Sequence, residues 1–468
     1  MSSIYKNLAN DTVVFAIGNM LTKAIQFFLL PMYTVFLSTE QYGIGELVNN
    51  LSELLYPICC LGVYEGVFRY AVEKGEDERS VFSTGVTVAL AFIPFVIVLG
   101  VVGYVVAGFD YAWLLVALCL VMSIKAICLQ FAKGINKTRL YAASGVVGAF
   151  ALFVFGYVFL GAFQLGTSGY LYALVVSHGV QLLIVVIGAS LWRYFSPEKV
   201  SRNQARMLLA YSLPMIPNAL AWWFVNLSGR YVILLSQGAA AAGLFTAASK
   251  LPSVMIMLVT VFQQAWQIFS ARQYESADRD GSFGVVFQVY SILLLCSGSL
   301  IIALAEVLSS VMLSGEFFEA HQLVPALMLG AVVNGYSVFF GTIYNAAKKN
   351  GMIFATTIAG AAINIVMGLA LVNLVGVWGP ILSSVIAYSV ISLSRAIDTR
   401  KFAKFKIGGG YQLVGILVLV VEVVVLSIDA PFAMICALGI SAAFIVGSAI
   451  RYRSLLARMV GVFIGKRG

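Results

Sequence analysis

Charged side chains are scarce in this chain of 468 residues: only 10% are Asp, Glu, Lys or Arg, whereas 61% are hydrophobic. Soluble proteins carry about 25% charged residues. A soluble chain of this length would also need polar surfaces for two or three domains. The scarcity of charge therefore excludes soluble globular, disordered and secreted disulfide-rich proteins. The remaining class is a polytopic membrane protein.

Catalytic motifs are missing as well. The sequence has two histidines, no Cys and His at metal-ligand spacing, no P-loop and no nucleophile elbow. No loop is long enough to form the soluble domain that membrane polymerases, ligases and glycosyltransferases usually need. We therefore expect no enzyme activity, no cofactor and no metal site. The six cysteines fall inside apolar segments, where packing explains them better than disulfides or metal ligation.

What the chain does contain is a series of long apolar segments. A helix needs about 20 apolar residues to cross the hydrocarbon core of a bilayer, and fourteen segments qualify. They are 11–37, 42–68, 81–106, 112–131, 141–161, 169–192, 207–235, 240–269, 283–312, 323–345, 352–373, 376–394, 411–428 and 431–450. The sequence therefore predicts an all-α membrane protein with about 14 transmembrane helices.

The cationic side chains are sorted by side of the membrane. With these fourteen spans, 25 of the 29 Lys and Arg residues fall in the loops of one side, and the opposite loops hold none. Short loops rich in Lys and Arg stay in the cytoplasm, so both termini are predicted to be cytoplasmic. Topology then explains the net charge of +9, and no nucleic-acid partner is expected.

An internal repeat relates two sets of six helices. Matches such as Lys137 with Lys349 recur at an offset of 212. Because six is an even number, both lobes keep one orientation, which predicts a parallel repeat with a pseudo-two-fold axis along the membrane normal. We expect an N-terminal lobe at 1–198, a C-terminal lobe at 199–406, and two further helices with a basic cytoplasmic tail at 407–468.

Polar stripes follow two helices that the repeat makes equivalent. At 100° per residue, seven positions of the second helix share one arc of about 100°, and the eighth helix has the same pattern 200 residues later. The two sets are Glu46, Asn49, Asn50, Glu53, Pro57, Cys60 and Tyr64, and Thr246, Ser249, Lys250, Ser253, Met257, Thr260 and Gln264. Such stripes face lipid only at high cost. They predict a shared polar cavity between the lobes, with helix–helix hydrogen bonding as the alternative.

Four cations remain inside the spans: Lys23, Lys125, Arg230 and Lys250. Each costs roughly 2.5–3.5 kcal/mol at a helix centre, which normally indicates pairing or function. We assign all of them except Lys125 to ligand binding, with internal ion pairs as the alternative. Lys125 has apolar neighbours and is expected to extend to the membrane surface.

Neutral polar side chains on the same faces are the predicted hydrogen-bonding partners of a polar ligand. They are Asn19, Gln26, Asn49, Asn50, Asn226, Ser249, Ser253 and Gln264. Arg69 is predicted at the cytoplasmic mouth of the cavity.

Acidic residues in the spans are candidates for ion coupling. Glu53 and Glu46 could carry a coupling Na⁺ or H⁺, or could simply neutralise a lysine. Glu422 lies in the thirteenth helix, outside the repeat, where we expect a groove or packing role. His178 is the only histidine in a span and is expected to be a satisfied core residue.

Four stretches carry a resemblance to a known family. They are LSTEQYGIGELVNNLSELLYPICCLGVYEGVFR from Leu37 to Arg69, YSLPMIPNALAWWFVNLSGRY from Tyr211 to Tyr231, GLFTAASKLPSVMIMLVTVFQQAWQIFS from Gly243 to Ser270, and VGVWGP from Val375 to Pro380. With them the chain resembles the Wzx-type oligosaccharide flippases, or polysaccharide biosynthesis transporters, of the multidrug/oligosaccharidyl-lipid/polysaccharide superfamily. Related sequences commonly have an acid before the Arg-Tyr pair of the seventh helix. Here Gly229 replaces it, which leaves Arg230 less neutralised or alters its role.

The resemblance implies a substrate and a setting. It implies a polyprenyl-diphosphate-linked oligosaccharide moved between leaflets of the bacterial inner membrane, with glycosyltransferases and a polymerase as functional neighbours. A diphosphate matches the cations of the spans, and Asn, Gln, Ser and Thr could bind the sugars. Trp222, Trp223 and Trp266 are expected to pack rather than to stack on sugar rings.

Two other functions stay open. A drug or metabolite antiporter of the same superfamily would export cations, which the four intramembrane cations disfavour. A polysaccharide polymerase or ligase would need a large outer loop, which the spans leave no room for.

Overall fold

The computed structural model describes residues 2–73, 76–106, 108–347, 349–405, 409–428 and 430–455. Within these helices, the side chains of residues 2–17, 19, 218–219, 221–228, 268, 271–272, 350 and 409 lie outside the description. The described residues form helices and connections, with no β-strand. The fold class predicted from composition is therefore confirmed.

Eighteen α-helices are present in the described ranges. They are α1 (Ser2–Phe36), α2 (Thr39–Cys59), α3 (Val63–Ala71), α4 (Glu78–Ala91), α5 (Ile93–Val105), α6 (Ala112–Gly134), α7 (Thr138–Tyr157), α8 (Gly166–Ala189), α9 (Arg202–Ser212), α10 (Met215–Lys250), α11 (Ser253–Gln273), α12 (Arg279–Ala303), α13 (Ala305–Met312), α14 (Val324–Ala346), α15 (Asn350–Val375), α16 (Trp378–Asp398), α17 (Gly409–Ser427) and α18 (Ala433–Arg451).

Most of these helices are long and apolar enough to span a membrane. Among the described residues 11 helices meet this condition, or up to 12 if the bent pair α2–α3 is one span. A helix satisfies its own backbone hydrogen bonds, which hydrocarbon cannot do. The protein is therefore a multi-pass membrane protein. Two of the fourteen predicted segments have no counterpart among these candidate spans. One lies in α1, whose apolar stretch is shorter, and the other lies in the region of α10 and α11, where the helices are interrupted.

Breaks interrupt the two helices that carry the polar stripes. The predicted continuous helix over 42–68 is wrong, because α2 and α3 meet at 62°. Gly62 at the bend has φ 62°, and a Cβ there would lie 3.2 Å from the Ser212 carbonyl oxygen, so glycine suits both the backbone angle and the close approach. The helix predicted over 240–269 is also wrong as one element, because α10 ends at Lys250 and α11 begins at Ser253.

The chain forms two units, Met1–Ser228 and Gly229–Gly468, called here the N-terminal and C-terminal units. Each has its own buried cluster. In the first, residues such as Phe131 and Val67 on α6 and α3 are fully buried. In the second, Trp266 and Phe339 pack with their ring centroids 4.7 Å apart. The lobe boundaries expected from the repeat stay a prediction.

The C-terminal unit includes the last two helices. Both α17 and α18 pack against α12. Elsewhere in this unit α15 and α16 approach backbone to backbone, since a Cβ on Gly379 would lie 2.6 Å from the Val372 nitrogen. Such contact is open only to glycine.

Candidate functional site

A cavity of about 500 Å³ lies inside the N-terminal unit. Its walls come from α2, α3, α6 and α7, and Pro57 and Tyr64, on either side of the bend between α2 and α3, line it. We call it the N-terminal cavity, and its lining residues are Glu53, Tyr56, Pro57, Tyr64, Met122, Lys125, Ala126, Leu129, Gln130 and Tyr141. A cavity of this size can hold a small ligand, and its polar groups come from four different helices.

Lys125 on α6 and His178 on α8 form a hydrogen bond within this unit. The Lys125 Nζ lies 2.9 Å from the His178 Nδ1. An ammonium group can only donate, so the Nδ1 accepts and the neutral imidazole carries its proton on Nε2. The expected extension of Lys125 to the membrane surface is therefore wrong: its ammonium is held inward by a residue 53 positions away.

Glu53 and Lys125 line the same cavity. Glu53 is exposed to it, and the carboxylate is within electrostatic range of the Lys125 ammonium. Opposite charges on two helices that line one cavity lower the free-energy cost of placing each charge in a low-dielectric environment. The cavity thus offers a carboxylate, an ammonium and an imidazole from helices that are far apart in sequence.

Glu46, the other acid proposed for ion coupling, lies in a different environment. Its side chain is only 4% exposed, and its Oε1 accepts hydrogen bonds from the hydroxyls of Tyr42 and Tyr170, each at 3.1 Å. The ring of Tyr33 packs on both tyrosines, with centroids 5.9 and 5.0 Å away. The stripe of α2 therefore contains a buried acid enclosed by tyrosines and, about two turns later, an exposed acid.

Other predicted residues of the N-terminal unit are distributed between solvent-accessible and buried positions. Lys23 and Gln26 are exposed on α1, Asn49 is half-buried and Asn50 is buried. Glu53 is the one predicted site residue among the described lining of the N-terminal cavity.

Arg69 lies on the last turn of α3, where its guanidinium contacts the Glu73 carboxylate at 3.1 Å. Both side chains are about half exposed, at 49% and 43%. An exposed pair of this kind contributes little to stability, so Arg69 is available for the role predicted at a cavity mouth.

The predicted residues of the C-terminal unit lie on α10 and α11. Arg230, Ser249 and Lys250 are half-buried, and Ser253 and Gln264 are exposed. The Ser249 hydroxyl donates to the Phe245 carbonyl of its own helix, and the Ser253 hydroxyl donates to the Lys250 carbonyl at the end of α10. Their lone pairs remain able to accept a hydrogen bond from a ligand.

Tryptophan behaves as expected where it is described. Trp266 is 2% exposed, and its Nε1 donates to the Phe339 carbonyl at 3.2 Å, which confirms a packing role. The predicted side chains of Asn19 and Asn226, and those of Trp222 and Trp223, lie outside the described residues.

Arg395 on α16 was counted with the cytoplasmic loops, yet it is 6% exposed. Its guanidinium donates to the Thr356 and Thr357 hydroxyls at 2.9 Å, and to the carbonyls of Ser337 at 2.9 Å and Ile353 at 3.3 Å. It therefore joins α14, α15 and α16 through neutral acceptors.

Glu422 on α17 has no exposed surface. Its Oε1 accepts from the Ser299 hydroxyl at 2.6 Å, and Ser299 also contacts the Ser441 hydroxyl at 2.9 Å. This cluster ties α12 to α17 and α18 and agrees with the packing role expected of Glu422.

His178 was expected to be a satisfied core residue, and its hydrogen bond confirms this, but sequence reasoning missed Lys125 as its partner and Arg395 as a packed charge. All three lie in or beside apolar runs, and their partners are on helices that only the tertiary fold brings near. Nothing in the local spacing could have paired them.

The described residues form a multi-pass membrane protein, and its fold is similar to that of solved transporters of the multidrug/oligosaccharidyl-lipid/polysaccharide (MOP) superfamily. A structure described as the lipid II flippase MurJ in an inward closed conformation aligns with 95% of this chain and over 100% of its own length. The TM-score is 0.69 and the sequence identity is 12%. An inward-facing multidrug resistance MATE family transporter aligns with 81% of this chain and 95% of its own, with a TM-score of 0.65 and 14% identity. A MOP superfamily transporter from Pyrococcus furiosus has a TM-score of 0.54 at 16% identity, covering 83% and 95%.

The family follows from the sequence match. The model of the polysaccharide biosynthesis protein family matches residues 8–267, more than half of the chain. This protein belongs to that family, which confirms the resemblance drawn from the motif stretches. Among curated proteins, none matches the chain.

Proposed function

We propose that this protein flips a polyprenyl-diphosphate-linked oligosaccharide from the cytoplasmic to the outer leaflet of the bacterial inner membrane, by alternating access, for cell-surface polysaccharide synthesis. The observation that carries the proposal is the family match over residues 8–267. The fold adds support, because the lipid II flippase aligns with 95% of this chain, against 81% to 84% for the multidrug transporters. On this proposal the protein transports and does not catalyse a covalent step.

Charge complementarity supports an anionic substrate. Lys23, Arg230 and Lys250 would bind the diphosphate, because ammonium and guanidinium groups form strong charge-assisted hydrogen bonds with phosphate oxygens. Asn, Gln and Ser side chains of the same helices would bind the sugars. Outward transfer of two negative charges is favoured by roughly 4–5 kcal/mol at 100 mV, negative inside, so membrane potential can contribute to the driving force.

Glu53 is the stronger candidate for a coupling cation. It is exposed to the N-terminal cavity, whereas Glu46 is enclosed by tyrosines. In the described lining of that cavity, Glu53 is the one carboxylate that a cation could bind. Replacing Glu53 with Gln should therefore remove any dependence of transport on a Na⁺ or H⁺ gradient and leave the part driven by membrane potential.

The double variant Lys23→Ala and Lys250→Ala tests the main proposal. We expect it to lose flipping of polyprenyl-diphosphate-linked oligosaccharide in proteoliposomes and polysaccharide export in cells, with the protein still present in the membrane. Lys401→Ala is the matched control, because Lys401 is exposed and pairs with Asp398 at 2.7 Å. Normal flipping in the double variant would overturn the assignment of these cations.

The antiporter and enzyme alternatives have their own readouts. Cation-dependent efflux of a cationic dye from the same vesicles, without oligosaccharide flipping, would favour a drug or metabolite antiporter. Transfer of sugar by the purified protein would favour a polymerase or ligase.

A further inference from the structure

A second polar cavity lies at one end of the C-terminal unit. Its volume is about 570 Å³, and it is lined by the first turn of α13 and by residues at or near the α13–α14, α15–α16 and α17–α18 connections. We call it the helix-end cavity. Its polar and aromatic lining is Glu306, His321, Gln322, Trp378 and Ser427. None of the described residues that line it is a lysine or an arginine.

The hydrogen-bonding state of His321 is fixed by its own segment. Its Nδ1 lies 2.6 Å from the Phe318 carbonyl oxygen. A carbonyl oxygen can only accept, so Nδ1 carries a proton and the Nε2 of the neutral ring is an acceptor. The imidazole also stacks on the Phe318 ring at a centroid distance of 4.5 Å, which holds its plane. Together with the Glu306 carboxylate, the cavity therefore offers two hydrogen-bond acceptors, of which the imidazole is held in place.

Trp378 supplies an apolar wall beside these acceptors. It is the first residue of α16 and is half-buried. Its indole combines a large flat apolar face with one N–H donor. Gln322 adds an amide, which both donates and accepts. A ligand that fits must therefore present hydroxyl donors at its edge and an apolar face of C–H groups.

Other ligand classes fit the helix-end cavity less well. A phosphate would need cations, and the described lining has none. A divalent cation such as Mg²⁺ or Ca²⁺ requires six or more oxygen ligands, and Glu306 is the one carboxylate in the described lining. A sugar ring has hydroxyl donors around its edge and C–H faces above and below, and so matches both the acceptors and the indole.

We propose that the helix-end cavity is a carbohydrate-binding site that takes a neutral sugar ring, with Glu306 and His321 accepting from its hydroxyls and Trp378 packing on its face. Its connection to the lipid-linked oligosaccharide rests on the proposed function. On that view the cavity holds a sugar of the substrate at the membrane surface, at a site separate from the cations assigned to the diphosphate.

Direct binding of free sugars tests this site. The full chain in phospholipid nanodiscs, prepared without glycosidic detergents, would be titrated with glucose, galactose and N-acetylglucosamine and followed by saturation-transfer difference NMR. We expect saturable binding of at least one sugar, weakened at least tenfold by Trp378→Ala and by Glu306→Gln. Glu319→Gln is the matched control, because Glu319 lies on the same 3₁₀ segment as His321, is exposed, and does not line the cavity.

The outcomes separate this proposal from the proposed function. Absence of saturable binding, equal binding in Glu306→Gln and Glu319→Gln, or saturable Ca²⁺ binding at Glu306 instead of sugar would each overturn the carbohydrate site. Glu306 is exposed, so the Glu306→Gln variant keeps the test valid if Trp378→Ala fails to fold. Sugar binding by a protein that flips no lipid-linked oligosaccharide would leave this site standing and reject the proposed function.

Discussion

The two units place intramembrane charge in different surroundings. In the N-terminal unit Lys125 and Glu53 line a cavity of about 500 Å³. In the C-terminal unit Arg395 and Glu422 are packed between helices, 6% and 0% exposed, and they bond to neutral hydroxyls and carbonyls. A charge in a span therefore has two physical explanations. It can hold helices together when protein groups surround it, or it can serve a ligand when it faces open space.

The largest expected effect is on stability, at the packed arginine. Arg395→Ala removes four hydrogen bonds that join α14, α15 and α16. We expect a loss of about 3 kcal/mol in the free energy of unfolding, because hydrogen bonds made by a charged donor stabilise a fold more than hydrogen bonds between neutral groups. Thermal unfolding in detergent measures this change. Arg395→Lys should not restore it, since an ammonium lacks the fork of donors.

Arg400→Ala is the control for this variant, because Arg400 is exposed just beyond the end of α16. Equal melting temperatures for Arg395→Ala and Arg400→Ala would contradict the contrast between the two units, because Arg395 would then not be a structural charge.

The next effect is on transport, at the charge that faces space. Lys125→Met keeps the length of the side chain but removes the ammonium from the N-terminal cavity. We expect export of polysaccharide to fall at least tenfold, and the free energy of unfolding to fall by roughly 1–2 kcal/mol, because His178 is left with an unpaired acceptor. Lys401→Met serves as the surface control. Unchanged export in Lys125→Met would place Lys125 with Arg395 as a structural charge.

A smaller effect is expected at Glu422. Glu422→Gln keeps an oxygen that can accept from Ser299 and has nearly the same volume. The free energy of unfolding should change by less than about 1 kcal/mol, and export should remain normal. A transport defect at full membrane level would show that the C-terminal unit also uses a buried charge in function, which would remove the contrast between the units.

The smallest effect concerns an ion pair outside the spans. Hydrogen bonding from Lys199 at 2.7 Å holds the pKa of the Asp77 carboxyl below its usual value, with help from the Arg79 backbone N–H. A lowered folded-state pKa stabilises the protein above the unfolded pKa of about 3.9, and this contribution is lost as pH falls through the folded value. Asp77→Asn should therefore reduce the acid sensitivity of unfolding, by less than about 1 kcal/mol because the pair is exposed.

Melting curves between about pH 6 and pH 3 would measure it. Asparagine remains a good N-cap for α4, so the capping contribution stays nearly constant. Parallel pH profiles of the parent and Asp77→Asn would contradict the assignment.

The fold was predictable because long apolar segments have few structural solutions in a membrane. The breaks were not. Gly62 and Gly238 have φ of 62° and 88°, but glycine is common in membrane helices, so its presence does not indicate where a helix bends. Glu46 and Glu53 both lie on the unbroken α2 and share one face, as the projection predicted. Their surroundings differ because Tyr170 of α8 and Tyr42 enclose Glu46, whereas Glu53 is exposed.

The site was predictable only in part, for a related reason. Helical periodicity reports which residues share a face of one helix. It carries no information about which side chain on another helix a charge will meet. Trp266 could be assigned correctly because a large apolar ring packs in almost any surroundings, but Lys125 could not, because its environment is set by His178 on α8.

The hydrogen bond between Lys125 and His178 also has a consequence for evolution. Each residue supplies what the other needs, a donor for the imidazole and an acceptor for the ammonium. A lineage that replaces one of them leaves the other with an unsatisfied polar group inside the bilayer. Substitutions at positions 125 and 178 should therefore be correlated among homologues, even though the two positions are 53 residues apart in the chain.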